Sequence, residues 1–326
     1  RILLVDGVRA EVWDPATGTL TAAGETQVPR DRDLHSSVSL TDGRALIVGG
    51  DPEYGDVQAE VWDEASGSFS AAGAFSEWHS TERPSLTLLP DGRVLVMGGG
   101  THHSDASRVV EVWEPETMTF RVAGEMTEGR AEQTATLLQD GRVLVVGGEV
   151  HDPGEGWDSW EPYPCSVCES PAALAEIWDP LTESFSSAGS LIQGRALHTA
   201  TLLPDGRVLI IGGGDTYGSV TSPAEMWDPA TEVFRPAGSL IEARYAHTAT
   251  LLPGGRVLVT GGWGDSGDVA SAEIWDPSTE SFSPAGSLVH PRGWHSATVL
   301  HDGRVLVTGR GSSAEIWEPA TVGPPA

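Results

Sequence analysis

Residues Ala196 to Gly238 read ALHTATLLPDGRVLIIGGGDTYGSVTSPAEMWDPATEVFRPAG, and most of the chain repeats this stretch with small changes. Its first two apolar runs, His198–Leu203 and Arg207–Ile211, flank a Pro-Asp-Gly turn. Because glycine accepts the positive φ of a tight turn, this pattern predicts a β-hairpin. A variable loop, a third run at Ala224–Pro229 and a fourth at Val233–Pro236 follow. The stretch therefore predicts four short strands, which we name a, b, c and d in chain order.

Seven copies of this pattern fill the 326 residues, and each carries a Trp followed by Asp or Glu in strand c. The spacings between these tryptophans are 49, 51, 65, 49, 48 and 42 residues. The repeat tryptophans are Trp13, Trp62, Trp113, Trp178, Trp227, Trp275 and Trp317. A period near 50 residues predicts an all-β fold, a seven-bladed kelch-type β-propeller with four antiparallel strands per blade. We interpret residues 1–326 as one domain and expect the repeat tryptophans to pack between blades.

The first and the last copies of the repeat are incomplete in this sequence. The chain begins at Arg1 in strand b of the first copy and stops just after strand c of the seventh, so only six a and six d strands are present. We therefore expect incomplete terminal blades. The favoured interpretation is that the parent protein continues beyond the sequence; the alternatives are thin terminal blades or a strand donated by a neighbouring molecule to an open edge.

Two further signatures recur: a Gly pair that closes strand b and an Asp-Gly-Arg turn between strands a and b. The Gly pairs are Gly49-Gly50, Gly98-Gly99, Gly147-Gly148, Gly212-Gly213 and Gly261-Gly262. On these residues the chain resembles bacterial kelch-repeat proteins, and especially the kelch propeller of the galactose oxidase and glyoxal oxidase group. The resemblance covers nearly the whole chain. It implies the fold and says little of function, which resides in loops carried by the scaffold.

The copper site of that group does not carry over to this chain. In copper radical oxidases a ligand tyrosine directly precedes a ligand histidine in an Arg-x-Tyr-His step. Here the residues that precede the corresponding histidines are Leu34, Leu197, Ala246 and Trp294. Tyr245 lies two residues before His247, one position earlier than the ligand tyrosine would. We therefore reject oxidase chemistry and assign no catalytic residue.

Strand a begins with Arg-x-x-His in four copies. The pairs are Arg32/His35, Arg195/His198, Arg244/His247 and Arg292/His295. Imidazoles gathered near one axis could bind a metal at the channel mouth, since neutral histidine is a common ligand. A pattern repeated in blade after blade is more typical of structural hydrogen bonding. We therefore expect no cofactor and keep the metal as a minor hypothesis.

The composition is strongly acidic, with a formal net charge of −28 and no Lys or Asn. This charge disfavours nucleic acid and anionic membranes as partners, and no apolar stretch is long enough for membrane insertion. The missing Lys and Asn are typical of a bacterium with a GC-rich genome. Without Asn, N-glycosylation is excluded.

The only cysteines are Cys165 and Cys168, in a Cys-x-x-Cys step. Such a pair could be half of a zinc site, a redox motif or a local disulfide. The zinc site lacks a second Cys-x-x-Cys, and the redox motif lacks the βαβ context in which it normally occurs. The resemblance favours the disulfide, because galactose-oxidase-like propellers carry a similar close pair between strands b and c. A disulfide implies an oxidising compartment, so we expect a secreted or cell-surface protein.

The five tryptophans outside the repeat positions and all four tyrosines are confined to the b-to-c and d-to-a segments, which lie on one face of a propeller. They are Trp78, Trp157, Trp160, Trp263, Trp294, Tyr54, Tyr163, Tyr217 and Tyr245. Aromatic groups on variable loops above a rigid scaffold are typical of a binding surface. The alternative is that some of these rings only plug the channel mouth.

The longest b-to-c loop, residues 149–172, exceeds the usual repeat length by about 16 residues, which favours a functional role. The candidate ligand-binding residues are His151, Asp152, Trp157, Trp160, Tyr163, Asp215, Tyr217, Trp263 and Trp294. Carboxylates beside aromatic rings suit a carbohydrate or a cationic peptide. Calcium is a weaker alternative, because no EF-hand-like ligand spacing occurs.

We therefore expect a non-catalytic recognition module that binds a glycan or a protein through this face. One alternative is a propeller enzyme, with or without a metal, whose site lies at the channel mouth. A second alternative is a structural subunit of an extracellular surface assembly, which would associate through open blade edges.

Overall fold

The computed structural model describes most of the chain as β-structure. The described residues are 1–30, 35–49, 59–75, 84–99, 107–150, 171–214, 219–309 and 314–319. They contain 29 strands, and within them no helix is long and apolar enough to cross a membrane. The chain divides into two compact units, residues 1–188 (the N-terminal unit) and residues 189–326 (the C-terminal unit).

The first repeat is a hairpin of two long strands, β1 (Ile2–Asp14) and β2 (Thr19–Arg30), which pair antiparallel. In later repeats two consecutive glycines with positive φ, such as Gly212 and Gly213, turn the chain out of strand b. The first repeat has Asp6-Gly7 at that place, so predicted strands b and c run on as one strand with register shifts. The prediction of seven four-stranded blades was therefore wrong for this repeat.

Repeats 2 to 4 each form a four-stranded antiparallel sheet in the predicted order a-b-c-d. Repeat 2 contains β3 (His35–Ser39), β4 (Ala45–Gly49), β5 (Ala59–Asp63) and β6 (Ser68–Ala71). Repeat 3 contains β7 (Ser85–Leu88), β8 (Val94–Met97), β9 (Val109–Glu114) and β10 (Thr119–Glu125). Repeat 4 contains the short pair β11 (Arg130–Ala131) and β14 (Glu149–Val150), and the sheet of β12 (Thr134–Leu137), β13 (Val143–Val146), β15 (Leu174–Asp179) and β16 (Ser184–Ser190).

Repeats 5 and 6 form the same four-stranded sheet, and repeat 7 forms a three-stranded sheet in the described residues. Repeat 5 contains β17 (Thr199–Leu202), β18 (Val208–Ile211), β19 (Pro223–Asp228) and β20 (Val233–Ser239). Repeat 6 contains β21 (Thr248–Leu251), β22 (Val257–Thr260), the small hairpin β23 (Trp263–Gly264) and β24 (Gly267–Asp268), β25 (Ser271–Asp276) and β26 (Ser281–Ser287). Repeat 7 contains β27 (Ser296–Val299), β28 (Val305–Thr308) and β29 (Glu315–Trp317).

Six of the seven repeats thus form blade sheets of the β-propeller type, and the expectation of an incomplete seventh blade agrees with its three described strands. Strand b is deeply buried in the described sheets, because strands a and c cover both of its edges. The four residues of β18, for example, are fully buried.

Six of the seven repeat tryptophans are buried, which confirms the prediction that they belong to the core, whereas Trp13 of the first hairpin is half-buried. Trp275 is fully buried, and its indole Nε1 donates a 2.9 Å hydrogen bond to the backbone carbonyl of Ala237, at the end of strand d in the preceding repeat. The same bond recurs as Trp62–Ala23, Trp113–Ala72, Trp178–Ala123 and Trp317–Ala285. In these five repeats one apolar ring and one polar bond therefore connect strand c to the preceding repeat.

The a-to-b turns are closed by local ion pairs. In repeat 5 the carboxylate of Asp205 accepts hydrogen bonds from the backbone N and the Nε of Arg207, at 3.1 and 2.8 Å. Hydrogen bonding to Arg207 lowers the pKa of Asp205. At the same end of the sheets, Glu280 of repeat 6 pairs with Arg235 of repeat 5 at 2.6 Å. These turns have a structural role, as their sequence indicated.

Candidate functional site

The d-to-a and b-to-c segments of a repeat meet at one end of its sheet, because its four strands alternate in direction. In repeat 5 the backbone N of Ala196, before strand a, donates to the carbonyl of Gly214, after strand b, at 2.9 Å. We call this end of the C-terminal unit the linker face, and we call the d-to-a segments linkers. The linker face comprises residues 189–198, 212–214, 219–223, 238–247, 261–271 and 287–295.

A buried ion pair holds the start of strand a against strand c in four repeats. In repeat 5 the Nη2 of Arg195 lies 2.7 Å from Oε1 of Glu225. The other pairs are Arg130–Glu176, Arg244–Glu273 and Arg292–Glu315. Burial lowers the pKa of Arg195, and the charge of Glu225 opposes that change. Each of these four arginines is therefore buried with a counter-charge.

The same glutamates bind the backbone of the linkers. Glu225 accepts hydrogen bonds from the backbone N of Ile192 and Gln193, at 2.8 and 3.2 Å. Glu273 accepts the corresponding bonds from Ile241 and Glu242, at 2.8 and 3.1 Å. We call each arginine, its glutamate and the linker backbone they hold a linker clamp. The clamp fixes the bend of the linker before strand a begins.

Sequence reasoning missed these glutamates, although the sequence carries their signal. Each lies two residues before a repeat tryptophan, and the position is Glu in all seven copies. They are Glu11, Glu60, Glu111, Glu176, Glu225, Glu273 and Glu315. Glu11, in the hairpin of the first repeat, is exposed, whereas Glu60 and Glu111 are fully buried like the glutamates of the clamps.

The histidines of the Arg-x-x-His step connect neighbouring a strands. Nε2 of His247 lies 3.0 Å from Oγ1 of Thr199 in the preceding repeat, and Nε2 of His295 lies 3.0 Å from Oγ1 of Thr248. Burial, reinforced by the adjacent Arg292, lowers the pKa of His295 to about 4. Burial lowers the pKa of His198 to about 3. These buried imidazoles are thus neutral at pH 7, and those of His247 and His295 hold neighbouring strands together, which agrees with the structural interpretation of the motif.

A metal at these histidines stays a minor hypothesis. In the described part of the chain, no group of three or more His, Cys, Asp or Glu is placed so that it could hold a metal ion. His35, of the second repeat, begins β3, whereas its partner Arg32 lies outside the described residues.

Backbone bonds join successive linkers side by side. In repeats 5 to 7 the residue before the histidine has a left-handed backbone, with φ of 56° at Leu197, 50° at Ala246 and 52° at Trp294. The N–H of Ala246 donates to the carbonyl of Leu197 at 3.0 Å, and the N–H of Trp294 donates to the carbonyl of Ala246 at 3.0 Å. The linkers of repeats 5, 6 and 7 therefore form one continuous surface.

Two of the predicted ligand-binding residues, Trp263 and Trp294, lie on the linker face, and both are half-buried. Trp263 begins β23 and exchanges two backbone hydrogen bonds with Tyr245, at 2.8 and 2.9 Å. Its indole packs directly on Gly293, where a Cβ atom would overlap the ring. The structure thus places three of the predicted loop aromatics, Tyr245 included, on this face.

The other predicted ligand-binding residues lie outside the described residues and remain predictions. They are His151, Asp152, Trp157, Trp160, Tyr163, Asp215 and Tyr217, and the same applies to the proposed disulfide partners Cys165 and Cys168. The two ends of the long loop are described. There the N–H of Ala172 donates to the carbonyl of Gly148 at 2.8 Å, so the loop leaves the sheet and returns to it at one place.

A set of exposed aliphatic residues on the linker face was also missed. Ile192, Ile241 and Val289 are 64%, 63% and 78% exposed. Each lies four residues after the Ala of the Ala-Gly step that closes strand d, a spacing visible in the sequence. We call these three residues the aliphatic ridge.

The charges near the aliphatic ridge are negative. Glu242, Asp265 and Asp268 have exposed side chains on the linker face. The described arginines of this face are the three that begin strand a, and each is buried in an ion pair. Glu242 lies 3.7 Å from the buried Arg244, whose nearer partner is Glu273, and the exposed charges of the face are otherwise carboxylates.

Comparisons with known proteins support the fold class. Residues 244–288, which run from the start of strand a to the end of strand d in repeat 6, match the Kelch motif. A comparison with curated proteins finds no match to this chain. The motif and the blade sheets together support a kelch-repeat propeller, a fold that commonly serves as a protein-interaction module. The resemblance to galactose oxidase and glyoxal oxidase in particular stays a prediction.

Proposed function

We propose that this protein is a non-catalytic interaction module that binds a protein partner through its linker face. The observation that carries the proposal is the combination of rigid linkers with exposed apolar groups. Linker clamps and backbone bonds fix the linkers, and Ile192, Ile241 and Val289 still point into solvent. Preorganised apolar groups lose little conformational freedom on binding, which favours association.

The state of the motif side chains supports binding rather than catalysis. The arginines and glutamates of the linker clamps are paired with each other, and burial keeps His198 and His295 neutral. An acid–base catalyst needs a pKa near the working pH and access to the substrate. The described motif residues instead use their polar groups to hold strands together.

The exposed groups favour a protein over a glycan as partner. Sugars bind by stacking on the open faces of aromatic rings, and Tyr245, Trp263 and Trp294 are half-buried. Exposed aliphatic side chains instead suit apolar side chains of another protein. A glycan ligand would depend on Trp157 and Trp160, so a glycan array probed with wild type and with Trp157→Ala/Trp160→Ala tests that alternative.

The protein-binding function can be tested by selecting displayed random 12-residue peptides on the purified protein. We expect enriched peptides that bind in solution with micromolar affinity. Their binding should weaken at least tenfold in Gln193→Arg/Ser266→Arg, which adds two charges and bulk to exposed positions of the linker face. The matched control Thr231→Arg/Thr279→Arg adds the same charge and bulk to exposed c-to-d turns at the other end of the same sheets.

Two results would contradict the proposal. One is a selection on folded protein that enriches no peptide above background. The other is a set of peptides whose binding is weakened by the control variant and not by the linker-face variant.

A further inference from the structure

The aliphatic ridge is not a by-product of the linker conformation. The residue just before each ridge residue, Leu191, Leu240 or Leu288, is buried in the core. The linker therefore sends one aliphatic side chain inward and the next one outward. Single exposed aliphatic residues are common on protein surfaces, whereas three at one structural position on consecutive blades are a repeated feature of this unit.

The N-terminal unit shows that the fold does not need aliphatic residues at this position. The equivalent residues there include Gln27 and Thr127, which are exposed and polar. Their backbone N–H groups bind Glu60 and Glu176 at 2.9 and 3.3 Å, as the ridge residues bind their own glutamates. A polar residue thus satisfies the same backbone arrangement, so the aliphatic character of the ridge requires another reason.

The three ridge residues lie on adjacent linkers. Each precedes by five residues the left-handed residue through which the linkers are joined, namely Leu197, Ala246 and Trp294. Two 3.0 Å backbone bonds connect these three residues in sequence. The linker of Ile241 therefore lies between those of Ile192 and Val289, so a partner that binds Ile241 is next to both of the other linkers.

The charge around the ridge indicates the chemistry of the partner. Glu242 directly follows Ile241, and Asp265 and Asp268 lie in the turn that follows β22 of the same repeat. With the described arginines of this face buried in pairs, a partner with Lys or Arg beside its apolar residues would be electrostatically complementary.

We infer that the partner is a protein segment that places apolar side chains on Ile192, Ile241 and Val289 and cationic side chains beside them. This inference rests on the proposed function and adds to it a location and a chemical class of partner. Contact between apolar side chains of the partner and the aliphatic ridge contributes the affinity, and the carboxylates near the ridge favour partners with positively charged side chains.

The inference is tested with two probes, an 18-residue amphipathic helical peptide of Leu and Lys and the same peptide with Glu in place of Lys. Binding to the full chain is measured by fluorescence anisotropy. The test variant Ile192→Gln/Ile241→Gln/Val289→Thr carries residue types that the chain itself uses at this position in other repeats. The control Leu181→Gln removes a 91% exposed aliphatic side chain from a c-to-d turn. Thermal melting verifies that both variants are folded.

We expect the Leu/Lys peptide to bind wild type and Leu181→Gln within twofold of each other, and to bind the triple variant at least tenfold more weakly. The Leu/Glu peptide should not bind. Because the triple substitution leaves the net charge unchanged, equal binding to wild type and triple variant would show general electrostatic attraction and overturn the inference. Failure of the Leu/Lys peptide to bind wild type would also overturn it, whereas the proposed function is decided separately by the peptide selection.

Discussion

The guanidinium of Arg244 and the carboxylate of Glu273 lie 2.8 Å apart, and both side chains are buried. Glu273 belongs to strand c and Arg244 to the start of strand a, so this pair connects the inner strand of the blade to its third strand. Glu273 also accepts two backbone hydrogen bonds from the linker. One carboxylate therefore holds strands a and c together and fixes the linker that forms part of the linker face.

The first prediction concerns this pair. Glu273→Gln removes the nearer and buried counter-charge of Arg244 and leaves only the exposed Glu242 at 3.7 Å. We expect it to lower the free energy of unfolding by about 3–5 kcal/mol, measured by urea denaturation. Asp302→Asn is the control, because it removes the charge of a half-exposed pair with Arg304 and keeps an oxygen acceptor. That substitution should cost less than about 1 kcal/mol. Equal losses in the two variants would contradict a structural role for the clamp.

The second prediction concerns the bond between blades. Trp275→Phe keeps an aromatic ring and removes the N–H that binds the carbonyl of Ala237, leaving a buried acceptor without its partner. We expect a loss of about 1–3 kcal/mol in the free energy of unfolding. Trp13→Phe, in the half-buried position of the first hairpin, should lose less. A smaller effect at Trp275 than at Trp13 would argue against the blade-to-blade bond.

The third prediction is a dependence of stability on pH. The pKa of His295 is lowered to about 4 in the folded state, whereas an unfolded histidine titrates near 6.5. Below pH 6.5 the unfolded state binds a proton that the folded state does not, so stability falls as the pH drops from about 6.5 to about 4. Above this range the histidine is neutral in both states and has no effect.

His295→Gln isolates this contribution, because Gln133 fills the equivalent position in repeat 4 and donates to the carbonyl of Met97 at 3.2 Å. The loss of unfolding free energy between pH 7.5 and 5.0 should be smaller in the variant than in wild type by about 2 kcal/mol. If both proteins lose the same amount, His295 is not held neutral in the fold.

The fourth prediction compares two glycines with similar backbone angles. Gly213 and Gly254 have φ of 92° and 94°. A Cβ on Gly213 would lie 2.6 Å from the carbonyl oxygen of Ala196, whereas nothing lies within 4 Å of a Cβ on Gly254. Gly254→Ala should cost about 1–2 kcal/mol from backbone strain alone. Gly213→Ala should cost about 1–3 kcal/mol more from overpacking, measured by urea denaturation. Equal costs would mean that the linker does not approach Gly213 closely.

Much of the fold could be predicted from the sequence, because each blade repeats the same local chemistry. The Asp-Gly-Arg turns, the Gly pairs and the repeat tryptophans set strand order and blade contacts within one repeat length. The first repeat could not be predicted in this way. Gly7 is not followed by a second glycine, and the chain continues through it as one long strand, β1, which pairs with β2.

The candidate site was predicted less completely. The search for aromatic residues identified Trp263 and Trp294 on the linker face. The recurring Glu two residues before each repeat tryptophan and the aliphatic residue after each linker Leu are visible in the sequence, but the pattern alone does not say what they contact. Their roles depend on burial, which places the carboxylate of Glu225 beneath the linker and leaves Ile192 outside. Such a difference emerges only when the strands are assembled.

The most direct test of the account is hydrogen–deuterium exchange of the full chain with and without a saturating peptide from the display selection. The account predicts slower exchange on binding in the linkers of repeats 5 to 7, residues 190–198, 239–247 and 287–295, with unchanged exchange in the Asp-Gly-Arg turns and the c-to-d turns of the same unit. Slower exchange confined to those turns, with the linkers unaffected, would contradict it.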